Sequence, residues 1–458
     1  MSRQSSRIVR AVCIVVGLLL TALAFSDSPV AGGEGFGMVE TLVLSVGVLT
    51  IFIGVVLSRF ASTYLLVLAS TIITLVLAEF VLKALLGPSY YTAYAFDQRY
   101  LFKLEPNVSR AYVHHPANGG HTVVYKVNSD GFRGPDLIET GTKPRIVVYG
   151  DSFIHAEYTE LPETFPVQLA NQLSSAHGLE AEVINAGVAG YGPDQILRRL
   201  ENEIEPLNPD LVVVALFSGN DFGDLLRNRL YRLSDDDRLV ENDFRLSEAQ
   251  QRQIKLNRAE PVLLKLLKET KNKLLSPEDE AFVFDKRQWI EDALAQHLAE
   301  YQSYVARGDN TVGEFGVDPY SADIALLPES PSAGYKIQLL DRIVARMKRV
   351  AEAHAVPIVA VIIPHPVDLL DGDHDSGWVN KAKYSEYSPT RLSDAMVSIT
   401  VNSSIPTLNL FPVFKQTDVK SHFLRGGDDH WNSVGQKLAA EAVATFLSEN
   451  GLLDALSE

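Results

Sequence analysis

The stretch Ile146-Val147-Val148-Tyr149-Gly150-Asp151-Ser152 decides the reading of this chain. An unbroken apolar run entered from Arg145 suits a strand buried on both faces. The Gly-Asp-Ser that follows has the form of a strand-to-helix turn. Two further segments repeat the pattern. Ala181-Glu182-Val183-Ile184 leads into Asn185-Ala186-Gly187-Val188-Ala189-Gly190, and Leu211-Val212-Val213-Val214-Ala215-Leu216-Phe217 leads into Gly219-Asn220-Asp221. A fourth motif, Asp428-Asp429-His430-Trp431-Asn432, lies near the C-terminus. Open α/β sheets place their sites at the C-terminal ends of strands, where three of these motifs stand.

Outward from that stretch, strands and helices alternate. A helix near 163–177 follows the first strand, and Pro193–Glu205 follows the second, with Ile196, Leu200 and Ile204 on one stripe. The helix Tyr335–Ala353 leads to the strand Val356–Ile363. A helix near 390–400 leads to Thr407–Leu410. A last helix runs from Ser433 to about Leu447, and Ser433-Val434-Gly435-Gln436 has the form of a capping box. Such repeats predict a parallel sheet with right-handed crossovers. Residues 225–334 break the rhythm. Ser247–Leu256, Pro261–Leu275 and Lys286–Arg307 read as helices, Asp309–Pro331 as loop, and Ser234-Asp235-Asp236-Asp237 as a solvated turn. This helical insertion is expected to cover the site or to offer a surface to a membrane-protein partner. Before the sheet, residues 87–144 read as a β-rich lead-in, with a strand at His121–Val127 and a turn at Asn128-Ser129-Asp130-Gly131.

The first 86 residues differ in kind. Ala11–Phe25, Thr41–Leu57 and Ala61–Ala78 are uncharged apolar runs, the last continuing past Glu79 to Leu86. Each approaches the roughly 20 residues needed to cross a bilayer. Arg3, Arg7 and Arg10 precede the first run, the loop Asp27–Glu40 carries only acidic charge, and Arg59 stands between the second and third. The positive-inside rule then predicts three transmembrane helices, a cytoplasmic N-terminus, and everything after Leu86 outside. Glu79 and Lys83 share a helix face and can pair. Residues 1–86 hold five basic and four acidic side chains, so the remainder carries the chain's whole net charge of −16 and one more. Such a surface does not suit nucleic acid. The one cysteine, Cys13, lies inside the first run, so no disulfide framework is available.

The motifs supply the parts of a serine acyl-transfer site. Ser152, at the start of a helix, can present its hydroxyl at the sheet edge and its N–H to an oxyanion. Gly190 can bring a backbone N–H close to a ligand, with Gly187 and Gly192 as alternatives. Asn220 offers a side-chain amide, unless a local cap occupies it. His430 is the candidate base, oriented by Asp428; His365, after the strand ending at Ile363, is the rival base. His155 reads as a wall of the site. Asp371-Gly372-Asp373-His374-Asp375 alternates acids as a calcium loop does, but Ser376 and Ala382 stand where such a loop needs glycine and glutamate. No metal or cofactor is expected.

These four blocks, in this order, resemble those of the SGNH/GDSL hydrolase superfamily over about 145–224 and 335–450. The resemblance implies a flavodoxin-like three-layer α/β/α fold. It implies Ser152 as nucleophile, the Ser152 N–H, Gly190 and Asn220 as the oxyanion hole, and His430 as base. Most members carry the acid three residues before the histidine, where this chain has Gly427. The spacing Asp428-x-His430-Trp431 instead resembles the branch that includes alginate O-acetyltransferase-type proteins, which leaves Asp428 and Asp429 both open as the acid.

The organisation expected is a three-helix membrane anchor (1–86), the lead-in (87–144), and a hydrolase-like domain (145–450) carrying the insertion. The function expected is a serine esterase or acyltransferase of the cytoplasmic membrane. Its catalytic domain would lie on the extracytoplasmic side and act on O-acyl, foremost O-acetyl, esters of carbohydrate. A lipid esterase or thioesterase, and a non-catalytic polysaccharide-binding assembly subunit, are the alternatives.

Overall fold

The computed structural model describes residues 3–25, 38–86, 94–114, 118, 122–242, 262–263, 266, 286–306, 320–370, 378–424 and 430–457. These fall into two compact units. One takes residues 1–92 and 248–278, the other 93–247 and 279–458.

The first unit holds the helices Arg3–Ala24, Met38–Val55 and Ala61–Leu86. Arg7–Ala24 and Ala61–Leu85 are long and apolar enough to cross a membrane by length and composition; the apolar part of the middle helix, Glu40–Val55, is shorter. Cys13 is buried with Ile53 and Ala61 where the three helices meet. Glu79 pairs with Lys83 at 3.1 Å, as their spacing predicts. The Glu79 carboxylate also accepts the backbone N–H groups of Val262 and Leu263, each at 2.9 Å. That link to the insertion has no signature in the sequence.

The second unit opens with two hairpins, β1 (Tyr94–Asp97) with β2 (Leu101–Leu104), and β3 (Ser109–Val113) with β4 (Thr122–Lys126). Both hairpins fall within the segment read from the sequence as β-rich. Tyr100, Leu104, Tyr125 and Val127 pack with Val188 and Tyr191, so the hairpins dock on the loop that carries Gly190.

The sheet comprises β5 (Arg145–Gly150), β6 (Glu182–Gly187), β7 (Leu211–Phe217), β10 (Ile358–Ile363) and β11 (Thr407–Asn409), all parallel, in the order β11-β10-β7-β5-β6. Every residue of β5, β7 and β10 is buried. That burial explains their unalternating apolar sequences. Alternate residues feed one core: Ile146, Val148, Val213, Ala215, Val359 and Val361 meet Leu169 and Leu173 of the helix Phe165–His177. Ala439, Ala440, Val443 and Leu447 of the helix Ser433–Glu449 complete that layer. The helix Pro193–Leu207 lies with Pro331–Ala353 on the other side, its stripe Ile196, Leu200 and Ile204 fully inside. This is the flavodoxin-like three-layer arrangement.

β5 lies between β6 and β7. The chain steps from β5 to one side, then returns past it to β7 and onward. The crevice between the ends of β5 and β7 is thus the topological switch point, where open α/β sheets bind ligands. Ser152 follows β5 and Asn220 follows β7.

Two local expectations change. The three-acid turn is the tip of an unpredicted hairpin, β8 (Tyr231–Leu233) with β9 (Leu239–Glu241). The last helix has no Ser433 capping box. Its N-cap is Asn432, whose side chain accepts the N–H groups of Val434 and Gly435 at 2.9 and 3.1 Å. Gln436 is buried and reaches across to the Phe165 N–H at 2.7 Å and the Phe153 carbonyl at 3.4 Å. Of the insertion helices, Lys286–Ala306 is present. Ser247–Leu256 lies outside the described residues, as does most of Pro261–Leu275. The stretch expected as loop from Asp309 contains a helix at Ala322–Leu326.

Candidate active site

Ser152 begins a one-turn helix, Ser152–His155, whose N-cap is Asp151. The buried Asp151 carboxylate accepts the Phe153 N–H at 2.9 Å and so fixes the turn. Ser152 itself is only partly buried. The carbonyls that follow the turn are gathered by one buried cation. Arg133 donates to the carbonyls of His155 (2.6 Å), Ala156 and Thr159. Burial lowers its guanidinium pKa to about 10. Sequence reading missed Arg133, although its place just after Asn128–Gly131 is a signal: the turn delivers it into the body, where it bridges to Asn185.

His155 is not a wall of the site. It is fully buried behind the turn, edge-on to Tyr125 at 5.0 Å and to Tyr94 at 6.3 Å. Three residues after Ser152 on a single helical turn, it faces inward. Burial, then Arg133, Arg110 and His430, hold its pKa well below the usual histidine value, so it stays neutral.

His430 arrives from the far end of the chain on a short strap. Phe423 bridges to Trp431, Leu424 N–H donates to His430 O at 2.9 Å, and Asn432 N–H to His422 O at 3.0 Å. Trp431 is buried on Phe414, with ring planes 9° apart, and edge-on to Phe153. The His430 ring stacks on Phe153, with centroids 5.2 Å apart, and meets Tyr158 at 4.8 Å. The structure thus brings His430 onto the residue next to Ser152. Asp428 and Asp429 lie outside the described residues, as does Asp371–Asp375.

The donor candidates separate by the bonds they already make. The Gly187 N–H donates to Asn185 Oδ1 and the Gly192 N–H to Gln195 Oε1, each at 3.0 Å. Gly190 adopts φ +80°, a left-handed conformation that suits glycine. Asn220 precedes the helix Asp221–Asn228 but makes no side-chain capping bond; it is 8% exposed, with a carboxamide oxygen that no described residue bonds. The local-cap reading of Asn220 therefore does not hold. The neighbouring Asp221 accepts the Phe217 N–H at 2.8 Å. Burial, then Asp151 and Asp224, raise its pKa well above the carboxylate range.

His365 stands on the other flank. It stacks on Phe217 at 5.5 Å and meets Tyr320 at 5.1 Å and Trp289 at 6.1 Å. Its ring lies so close to Gly219 that a Cβ there would come within 2.6 Å of it. His365 Nδ1 accepts the Val367 N–H at 3.1 Å, which in the neutral ring puts the proton on Nε2. A base acting through Nε2 needs the opposite tautomer, so His365 fits the rival role poorly.

The insertion buttresses this flank. Ser321 N–H donates to Gly219 O at 2.7 Å, directly before Asn220. Tyr320 O–H donates to Asp368 at 2.6 Å. His297 Nε2 donates to the Tyr320 carbonyl at 3.0 Å, while its Nδ1 accepts from Lys336 at 2.9 Å. Lys336 also pairs with Asp323 at 3.0 Å, both fully buried. Burial raises the Asp323 pKa, but Lys336, His297 and Ser332 outweigh it and leave it below the ordinary value. Among the described residues, no group of three or more His, Cys, Asp or Glu could hold a metal ion.

The model of the GDSL-like lipase/acylhydrolase family matches residues 148–453. A protein of the G-D-S-L family from Desulfitobacterium hafniense is 11% identical, with a TM-score of 0.32 over 66% of this chain and 99% of that one. A psychrotrophic esterase from Pseudoalteromonas gives 11%, 0.32, 67% and 97%, and the lipase/acylhydrolase of Enterococcus faecalis 13%, 0.29, 67% and 96%. Comparison with curated proteins gave no match. The family match spans more than half of the chain, from inside β5 to beyond the last long helix, so the protein belongs to the GDSL-like lipase/acylhydrolase family and is a hydrolase of ester bonds.

Proposed function

We propose that this protein is a membrane-anchored serine esterase or acyltransferase acting on O-acetyl esters of carbohydrate. Residues 1–86 form the anchor, 87–144 the lead-in, and 145–450 the catalytic domain with its insertion at 225–334, on the extracytoplasmic side. The observation that carries the chemistry is the stacking of His430 on Phe153, beside Ser152, at the switch point of the sheet. His430 takes the Ser152 proton as Oγ attacks the ester carbonyl. The Ser152 N–H, Gly190 and the Asn220 amide receive the oxyanion. The carbonyl re-forms, the alkoxy C–O bond breaks, and the alcohol leaves with the proton from His430. Water, or a second sugar hydroxyl, then takes the acyl group. Asp428 orients the imidazole. The spacing Asp428-x-His430-Trp431 supports carbohydrate over lipid, and the charge pattern of the apolar helices supports the anchor.

The test is acetate release by the full-length chain in detergent. Acetylated oligosaccharides should be turned over, and Ser152→Ala should abolish the activity. Preference for long-chain lipid esters over every acetylated glycan would refute the carbohydrate reading.

A further inference from the structure

We infer that a polar cavity beside His430 holds the alcohol half of the ester, and that it selects an uncharged glycan over a polyuronate. The inference rests on the reading of Ser152 and His430 as nucleophile and base. The cavity has a volume of about 510 Å³, within the range of small-molecule sites. Three separate pieces of chain wall it. The lead-in gives Asn118, the stretch after the nucleophile turn gives Tyr158, Glu160 and Glu163, and the strap before His430 gives Lys420 and Phe423. Tyr158 is the wall shared with the catalytic groups. Its ring lies 4.8 Å from His430 and is braced by Tyr112 at 4.4 Å.

Chemistry assigns the cavity to the alcohol. In the first half-reaction, the bond from Ser152 Oγ to the acyl carbon forms and the bond from that carbon to the alcohol oxygen breaks. The proton removed from Ser152 passes through His430 to the departing oxygen. In the second, an incoming hydroxyl gives its proton to the same imidazole. Both the leaving and the accepting oxygen must therefore lie on the histidine side of Ser152. The cavity is joined to that histidine by Tyr158, which lines the one and lies 4.8 Å from the other.

The lining sets the class of alcohol. Carboxylates, amide groups and an aromatic face suit a polyhydroxylated ring, whose hydroxyls find acceptors and whose C–H face packs on tyrosine. An aliphatic alcohol would leave these polar groups desolvated and unmatched. Two glutamates, Glu160 and Glu163, oppose one lysine, Lys420, in the lining. A polyuronate would bring more negative charge to this surface, which like-charge repulsion opposes.

The experiment uses the full-length chain in detergent and three substrates: p-nitrophenyl acetate, an O-acetylated neutral oligosaccharide and an O-acetylated oligouronate. The wild type should prefer the neutral oligosaccharide to the oligouronate by kcat/KM. Glu160 and Glu163 are exposed, so their replacement leaves the core intact. The double variant Glu160→Lys, Glu163→Lys should lower the ratio of kcat/KM on the neutral oligosaccharide to that on p-nitrophenyl acetate by about tenfold, through KM. The same variant should narrow or reverse the preference against the oligouronate. The deacetylated neutral oligosaccharide should inhibit the wild type competitively, and the variant less. Faster wild-type turnover of the oligouronate, or an unchanged ratio in the variant, overturns the proposal while leaving the nucleophile reading intact. Persistence of p-nitrophenyl acetate hydrolysis in Ser152→Ala would instead overturn the nucleophile reading, and the assignment of the cavity with it.

Discussion

The imidazole of His430 lies over the ring of Phe153 with 5.2 Å between centroids and 30° between planes, so the residue after Ser152, the proposed nucleophile, is a platform for the proposed base. Ser152 and His430 should therefore act as one unit. Ser152→Ala and His430→Ala are each expected to lower kcat on p-nitrophenyl acetate by about 10⁴-fold or more, and the double variant no further. Additive losses would show that the two act in separate steps. Phe153→Leu keeps an apolar filler but removes the flat platform. It should lower kcat by about tenfold or more with little change in KM, read by steady-state kinetics.

Asn220 and Asn432 stand at comparable places, each before a helix, yet only Asn432 caps. With its amide proposed for the oxyanion hole and making no capping bond, Asn220→Ala should lower kcat by about 10²- to 10³-fold while thermal stability holds. Asn432→Ala should cost about 1 kcal/mol of stability. Thermal melts beside kinetics distinguish the two. A large stability loss in Asn220→Ala would make it a structural residue.

Asp428 stands two residues before His430 in the sequence and Asp429 one, and in an extended chain neighbouring side chains alternate, so the spacing alone favours Asp428 as the proposed acid. Asp428→Asn is expected to lower turnover by orders of magnitude, up to about 10⁴-fold, and Asp429→Asn far less. The reverse ranking, on folded protein with an activated acetyl ester, reassigns the acid. Two small, equal losses would leave Ser152 and His430 as a dyad.

Asp194 is fully buried, and desolvation pushes its pKa up to about 6 from 3.8. Its Oδ1 accepts the Gln195 N–H and the Asn228 amide, both at 2.9 Å, bonds that an asparagine can keep. Below about pH 4 the acid is protonated in both folded and unfolded chains and carries no penalty. As pH rises to about 6 the unfolded chain loses this proton first, so stability falls, by at most roughly 3 kcal/mol. Asp194→Asn should thus gain melting temperature over the wild type progressively from pH 4 to 6 and keep the gain at pH 8. A difference that does not vary with pH would refute the shifted carboxyl.

A reporter fused after Leu86 should be active only outside the cytoplasm, given Arg3, Arg7, Arg10 and Arg59 on one side of the apolar runs. Cytoplasmic activity of that fusion would remove the three-span reading.

The sheet was legible because β5, β7 and β10 are buried along their whole length, and an apolar run ending at Gly150 or Ser218-Gly219 marks both the strand and its C-terminal edge. The strap of His430 was legible from Trp431 and Asn432 beside it. What escaped was set by tertiary contact. β8 and β9 are three residues each, too short for a period of two to register. Ser433-x-x-Gln436 satisfies a local capping pattern, yet Gln436 is drawn inward by the Phe165 N–H. Nothing near Lys336 or His297 announces that they would share one buried network with Asp323.

The bond from Phe165 to Gln436 has a consequence for the order of events during synthesis. A ribosome completes the strand and turn of Ser152 long before it reaches the strap and the final helix. Domains fold as their residues emerge, yet this one cannot close until almost the last of them is made. On the proposed roles of Ser152 and His430, a nascent chain would present its nucleophile with no base beside it. Ester cleavage would then begin only when the helix Ser433–Glu449 docks. A chain cut short or stalled before that helix would accumulate as an inert product with its core open, a target for proteolysis and not a source of stray hydrolysis.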